Sequence, residues 1–515
     1  MKERLRIRDR RPAAIGALTT LAGTIILACL ASGVSRPALA GNDTANTPAF
    51  APGMIAHLQA MRRFRDPDRG AQATPPVIPR FAIDRDPAGA VATFQPGGAT
   101  FTFNSPFFQD LGTNGRTCFS CHQPQSGWTV SAAGVAARFA QSGGTDPIFR
   151  LVDGATCPSD DVSTQAAKRK AYSLLIAKGL IRIGLPMPAG VEFEVTSVAD
   201  PYNCNTSAVT GLANPTNPTF SIYRRPLPAT NLKFLTAFMW DGREPDLASQ
   251  ARDATLGHAQ ASVPPTDAQV ADIVAFESGI YTAQEIDARA GALHGAGALG
   301  GPVALSLQTF YAGINDPLGN NPSGATFDPN IFDVYKPWLA ARGHGDDADR
   351  RLSVARGEEV FNTTPITIAG VAGLNDPPNP PSIAGFCGTC HDTPNVGNHS
   401  VKAPLDIGIA DAGAKAPPAL DISGLPVFTL TCVKGALAGK TFTVTDPGRA
   451  LITGACADIG KLKGPILRGL ASRAPYFHNG SAATLMDVVN FYDQRFGIGF
   501  TARQKTDLVN FLDAL

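Results

Sequence analysis

Cys118-Phe119-Ser120-Cys121-His122 and Cys387-Gly388-Thr389-Cys390-His391 are the two stretches on which the reading of this 515-residue chain turns. Each is Cys-x-x-Cys-His, the attachment sequence of a covalent c-type haem. Two thiols on one helical turn add to the two vinyl groups of a porphyrin, and the adjoining imidazole reaches the iron. A tetrathiolate zinc site or a thioredoxin-like dithiol would use the cysteine pairs but leaves the following His unexplained. With nine Cys and eight His in the chain, chance supplies the pattern roughly 0.002 times. Two covalent haems are therefore expected, held by Cys118, Cys121, Cys387 and Cys390, with His122 and His391 as proximal iron ligands.

Residues 1–40 read as an export signal. Lys2, Arg4, Arg6 and Arg8 open a basic start, an apolar run follows from Ala13 to Val34, and Ala38-Leu39-Ala40 offers a cleavage site. The expected location is the periplasm. Ile26-Leu27-Ala28-Cys29 is a poor lipoprotein site because Leu precedes Ala, and retention of the apolar run as a membrane anchor is the weaker alternative. Residues 1–40 carry seven Lys and Arg against two Asp and Glu, so the formal +1 of the whole chain becomes about −4 without them. That charge does not suit nucleic acid as a partner.

Beyond Cys29 and the four attachment thiols, Cys157, Cys204, Cys432 and Cys456 remain. In an oxidising compartment the shortest-loop pairing is 157 with 204 and 432 with 456; free buried thiols are the alternative.

The organisation follows from texture. Residues 41–95, rich in Pro, Ala and Arg without a sustained period, read as a surface extension. An N-terminal cytochrome c domain is expected over 96–345 with an insertion at about 131–222, and a C-terminal one over 346–515 with an insertion at about 425–458. The fold class is mainly α. Thr266, Thr484 and Thr501 each stand before a helical stripe, exemplified by Leu485, Val488, Val489 and Tyr492. Residues 427–445 alternate and contain Gly turns, predicting a small β-hairpin tied by Cys432 and Cys456.

Three further segments carry a resemblance: Phe238-Met239-Trp240-Asp241-Gly242-Arg243 with Gln250, Arg356-Gly357-Glu358-Glu359-Val360-Phe361, and Ala474-Pro475-Tyr476-Phe477-His478-Asn479-Gly480-Ser481. With the attachment sites they resemble the bacterial di-haem cytochrome c peroxidase family, which includes the MauG enzymes. The resemblance implies two α-helical cytochrome c domains with facing haems. The N-terminal haem would meet peroxide and the C-terminal haem would pass electrons. It also implies roles for single residues: Trp240 between the haems, Gln250 in the distal pocket, and His478 beside the C-terminal haem. Tyr492 stands where peroxidases carry a methionine ligand and MauG enzymes a tyrosine. Core packing is the plain alternative for Tyr492, and Met486 is a competing ligand about 120° around the helix.

Departures from the pattern bear on catalysis. Gln260 stands where the family's catalytic glutamate belongs, and an amide cannot shuttle a proton. Ala254 replaces a proline, and Arg225 replaces a calcium-binding asparagine, which puts an interhaem calcium in doubt. His258 is a candidate replacement acid and base. No His lies between His122 and His258, so the first iron is open unless Met187, in Pro186-Met187-Pro188, ligates it. The expected function is a peroxidase-like oxidoreductase acting on peroxide or oxygen. Its expected donor is a small redox protein such as a cytochrome or cupredoxin. The alternatives are an electron carrier with both irons six-coordinate and, more weakly, a haem-bearing sensor or assembly partner without turnover.

Overall fold

Three helices begin where their capping residues dictate. Thr266, Thr484 and Thr501 each accept a hydrogen bond from the backbone N–H three residues on, and the side chains of Gln269, Asp487 and Gln504 return the bond to the capping residue's own N–H. Two orphan donors are satisfied at each end, which starts the helices Asp267–Gly279, Leu485–Phe496 and Ala502–Asp513. The computed structural model describes residues 74–205, 212, 219–340 and 345–515. The export-signal reading of 1–40 lies outside them. The described residues belong to one compact unit.

The expectation of a mainly α fold is overturned: thirteen strands form five antiparallel sheets among the described residues. Part of the supposed surface extension, Phe81–Asp86 and Gly89–Phe94, is a hairpin that pairs with Tyr281–Asp287 in a four-stranded sheet. The turn is closed by Asp86, whose Oδ1 accepts from the N–H groups of Ala88 and Gly89, and Gly89 has φ 148°. Gly89–Phe94 is buried on both faces and built of small residues, so the period-2 alternation that betrays a half-buried strand is missing.

The hairpin expected at 427–445 forms from Val427–Cys432 and Thr441–Val444, and Phe193–Ala199 adds a third strand to it. The two regions read as separate insertions thus share one sheet and one apolar cluster. Both disulfides, Cys157–Cys204 and Cys432–Cys456, are formed.

The motif Arg356-Gly357 has a packing reason. A Cβ on Gly357 would lie 2.0 Å from the carbonyl oxygen of Asp507, so the helices Asp346–Thr363 and Ala502–Asp513 touch only because Gly is there. Arg356 Nε donates to Asp507 Oδ2 at 2.7 Å and clamps the same crossing. This crossing brings Phe361 to 6.1 Å from the His391 ring, and Phe107 stands at 6.1 Å from His122.

Candidate functional site

The two Cys-x-x-Cys-His segments fold alike. Cys118–Ser120 and Cys387–Thr389 are single 3₁₀ turns, and the N–H of each following His donates to the first Cys carbonyl, at 3.0 and 3.1 Å. Each imidazole is then fixed by its Nδ1. His122 Nδ1 donates to Trp128 O at 2.8 Å, and His391 Nδ1 to Gly397 O at 2.7 Å. Burial holds both rings near a pKa of 4, hence neutral, so Nε2 keeps a free lone pair. A neutral imidazole anchored through Nδ1 is the arrangement of a metal-ligating histidine.

Each motif opens onto a cavity that communicates with solvent; counting that open space, the void is about 1630 Å³ at His122 and about 1670 Å³ at His391. The four thiols are unbonded and line these cavities. The donor set, the mostly apolar walls and the room fit a covalent haem at each place.

Corresponding helices wall the cavities. Leu247, Gln250, Ala251, Ala254 and His258 face the first, from the helix Leu247–Gly257 and its C-cap. Leu485, Val488, Val489, Tyr492 and Phe496 face the second at the same spacing of i, i+3, i+4, i+7 and i+11. The turns preceding them also correspond. Met239 and Phe477 both have φ 64°, Gly242 and Gly480 follow at 65° and 64°, and Asp241 and Asn479 each accept from the N–H two residues on. Trp240 and His478 are therefore equivalent positions, and their rings meet edge to face at 6.2 Å.

This correspondence shows how the cavities differ. Ala254 stands where the second cavity has Tyr492, and the polar Gln250 and His258 stand where it has Val488 and Phe496. The helical wall of the second cavity is the more apolar of the two, with Tyr492 stacked on Phe496 at 6.3 Å. In the first, His258 Nδ1 lies 2.6 Å from Asp153 Oδ2, and Asp153 Oδ1 accepts from Arg116 Nη1 at 2.5 Å. Burial works to raise the Asp153 carboxyl, but Arg116 and the bond to His258 overcome it and hold it below the usual range. An ionised Asp153 can only accept, so Nδ1 of His258 donates and Nε2 is left available.

The site residues read from sequence separate into two groups. Gln250, His258 and Trp240 line the first cavity, and Tyr492 lines the second. Trp240 lines both, with its Nε1 donating to Arg225 O at 2.7 Å. Gln260 lines neither: it is exposed, at φ 54°, accepting from Asn114. Met187 packs instead with Phe193 and Leu430 in the disulfide-tied cluster. His478 lines neither cavity and sits buried behind Trp240, 3.7 Å from Asp446, with burial lowering it to about 4. Met486 is also absent from both walls.

Sequence reasoning missed Asp153, which lies in the supposed insertion, and Glu277, which projects from the helix Asp267–Gly279. Glu277 lines the first cavity, is 5% exposed, and has a carboxylate oxygen without a partner among the described residues. Burial raises it from 4.5 to about 8. A carboxyl that binds its proton more tightly when folded contributes stability below about pH 4.5 that is lost as pH rises through about 8. Glu277→Gln cannot ionise, so its urea midpoint should gain on the unsubstituted protein between pH 5 and 8; parallel pH profiles would refute the buried, protonated carboxyl.

No family model matches the chain. Over 78 residues it is 42% identical to cytochrome-c peroxidase IdrP2 of Denitromonas iodatirespirans, covering 14% of this chain and 21% of that protein. Over 81 residues it is 37% identical to cytochrome-c peroxidase IdrP1 of Pseudomonas sp. (strain SCT), covering 14% and 21%. The chain thus spans about a fifth of the length of the curated relatives it matches. Among solved structures, a MauG-like protein associated with microbial copper homeostasis aligns with a TM-score of 0.33 and 17% identity, over 79% of this chain and 85% of that one. Among the described residues, no helix is long and apolar enough to cross a membrane.

Proposed function

We propose that the chain is a periplasmic di-haem c-type cytochrome of the cytochrome c peroxidase and MauG kind, in which peroxide is reduced in the His122 cavity. Electrons would come through the His391 cavity from a small redox protein such as a cytochrome or cupredoxin. The observation that carries this reading is the replacement of Tyr492 by Ala254 at the equivalent wall position. A side chain that could close the second iron is reduced in the first cavity to a methyl group, beside polar residues. The stretches similar to cytochrome-c peroxidases support the same class.

When bound, the haems supply redox-active iron and a conjugated path for electrons. The chain's own residues handle protons and position. Reduction of peroxide to two waters consumes two protons and two electrons, and the protons must be delivered inside a mostly apolar cavity. His258, 36% exposed, takes protons from solvent, and Asp153 holds its Nε2 as the atom that passes them on. Glu277 carries a proton at neutral pH. The Gln250 amide can orient a peroxide oxygen by hydrogen bonding. Trp240 stands in the wall between the cavities, within reach of both.

The second reading, an electron carrier with both irons six-coordinate, draws on Met239, a thioether in the first cavity. Electron paramagnetic resonance and optical spectra of the purified protein, with and without peroxide, separate the two. The peroxidase reading expects a high-spin ferric signal that peroxide abolishes. Two low-spin signals indifferent to peroxide would establish the carrier.

A further inference from the structure

Most buried cations among the described residues are matched by carboxylates: Arg116 by Asp153, Arg224 by Asp241 and Asp446, and Arg350 by Asp287. Arg468, 4% exposed in the first cavity's wall, is an exception: it donates to Asn395 O and keeps Nη1 without a partner. Arg225, Lys463 and Arg473 depart from that pairing together, in one wall. They are 5%, 8% and 9% exposed, and none has a carboxylate partner among the described residues. Their hydrogen bonds go to backbone carbonyls. Arg225 donates to Lys178, Val130 and Arg473, Arg473 to Ile466, and Lys463 to Gly464 at 3.2 Å, while Nε of Arg473 is buried without a partner. All three line both cavities, and so belong to the shared wall that also holds Trp240.

An unpaired buried cation is costly, and three together repel one another. Burial, and for Arg225 and Lys463 the neighbouring Arg473, lowers them to about 9, 8 and 10 for Arg225, Lys463 and Arg473. The missing counter-charge does not come from the walls. The second cavity has no Asp or Glu in its lining, and the first has Asp153, already committed to Arg116 and His258, and Glu277, which is protonated at neutral pH. The source left for it is what fills the cavities.

We infer that Arg225, Lys463 and Arg473 form a carboxylate-binding wall that takes propionate groups from the occupants of both cavities and leaves no place there for a divalent cation. The inference rests on the haem reading, since a porphyrin attached through its vinyl groups keeps its propionates free to ionise. Guanidinium forks and an ammonium suit carboxylates. The same three charges repel calcium, and Arg225 stands where the resemblance places a calcium-binding asparagine. Fixed cations of the chain would then set the electrostatic environment between the two haems.

The test uses the full-length holoprotein with Lys463→Met and Lys463→Arg, and Lys463→Gln if the Met variant fails to accumulate. A pyridine haemochrome count of two per chain tests the haem reading separately, and a lower count removes both readings. With two haems present, loss of the ammonium should disfavour reduction of at least one haem by tenfold or more, a drop of about 59 mV in a one-electron potential. Lys463→Arg should stay within twofold of the parent. Calcium or EGTA added to the parent should leave both potentials unchanged. Unchanged potentials in the Met or Gln variant, or a shift on chelation in the parent, would overturn the wall.

Discussion

Replacing His258 with Ala is expected to slow peroxide turnover by about 10²–10⁴-fold, the usual contribution of a positioned acid–base group, with both haems retained. The ring lines the first cavity, is partly exposed, and is oriented by Asp153 at 2.6 Å. Asp153→Asn should cost less in rate, about 10–100-fold, because the imidazole survives but loses the partner that selects its tautomer. The two variants should part company in stability. Asp153→Asn leaves Arg116 buried without its anion, at a cost of about 3–5 kcal/mol, whereas His258→Ala removes a partly exposed ring. Steady-state kinetics with thermal melts of both variants check this, and a His258→Ala enzyme with parental turnover would eliminate the assigned role.

The second large effect separates the cavities. Cys118→Ser combined with Cys121→Ser is expected to lower the haemochrome count from two to one and to abolish the reaction with peroxide. The remaining haem should still accept electrons from a small donor protein. The converse pair, Cys387→Ser with Cys390→Ser, should keep a spectral response to peroxide at the first haem while losing sustained turnover with a protein donor. If the first pair left the peroxide response intact, the reactive cavity would be the one at His391. The assignment drawn from Ala254 and Tyr492 would then be reversed.

The parts that were legible in the sequence are those written in short-range chemistry. A capping threonine meets a partner three residues away, and a helical stripe lies within a dozen residues, so the Leu485–Phe496 helix and its cavity face could be read directly. The attachment turns are local for the same reason. Both disulfides closed the shortest loops. Where the reading failed, the determining contact was distant. Gly89–Phe94 is a strand because Tyr281–Asp287 lies against it, and its small residues, covered on both faces, carry no alternation. Phe193–Ala199 joins a hairpin more than two hundred residues away. Gln260 sits ten residues after Gln250, as a family glutamate would, but the helix ends at Gly257 and the chain turns it out to solvent.

The sequence by itself placed two thiols and an imidazole within five residues at each of two sites, and that grouping needs no distant partner to form. Only the tertiary structure decided how the cavities differ and what joins them. Asp153 reaches His258 across 105 residues, and Arg225, Lys463 and Arg473 come from separate segments to one wall. Burial, not residue type, makes Glu277 hold a proton at neutral pH and leaves three cations in need of an anion. Desolvation and charge pairing depend on what surrounds a group in space, and a linear pattern does not record that.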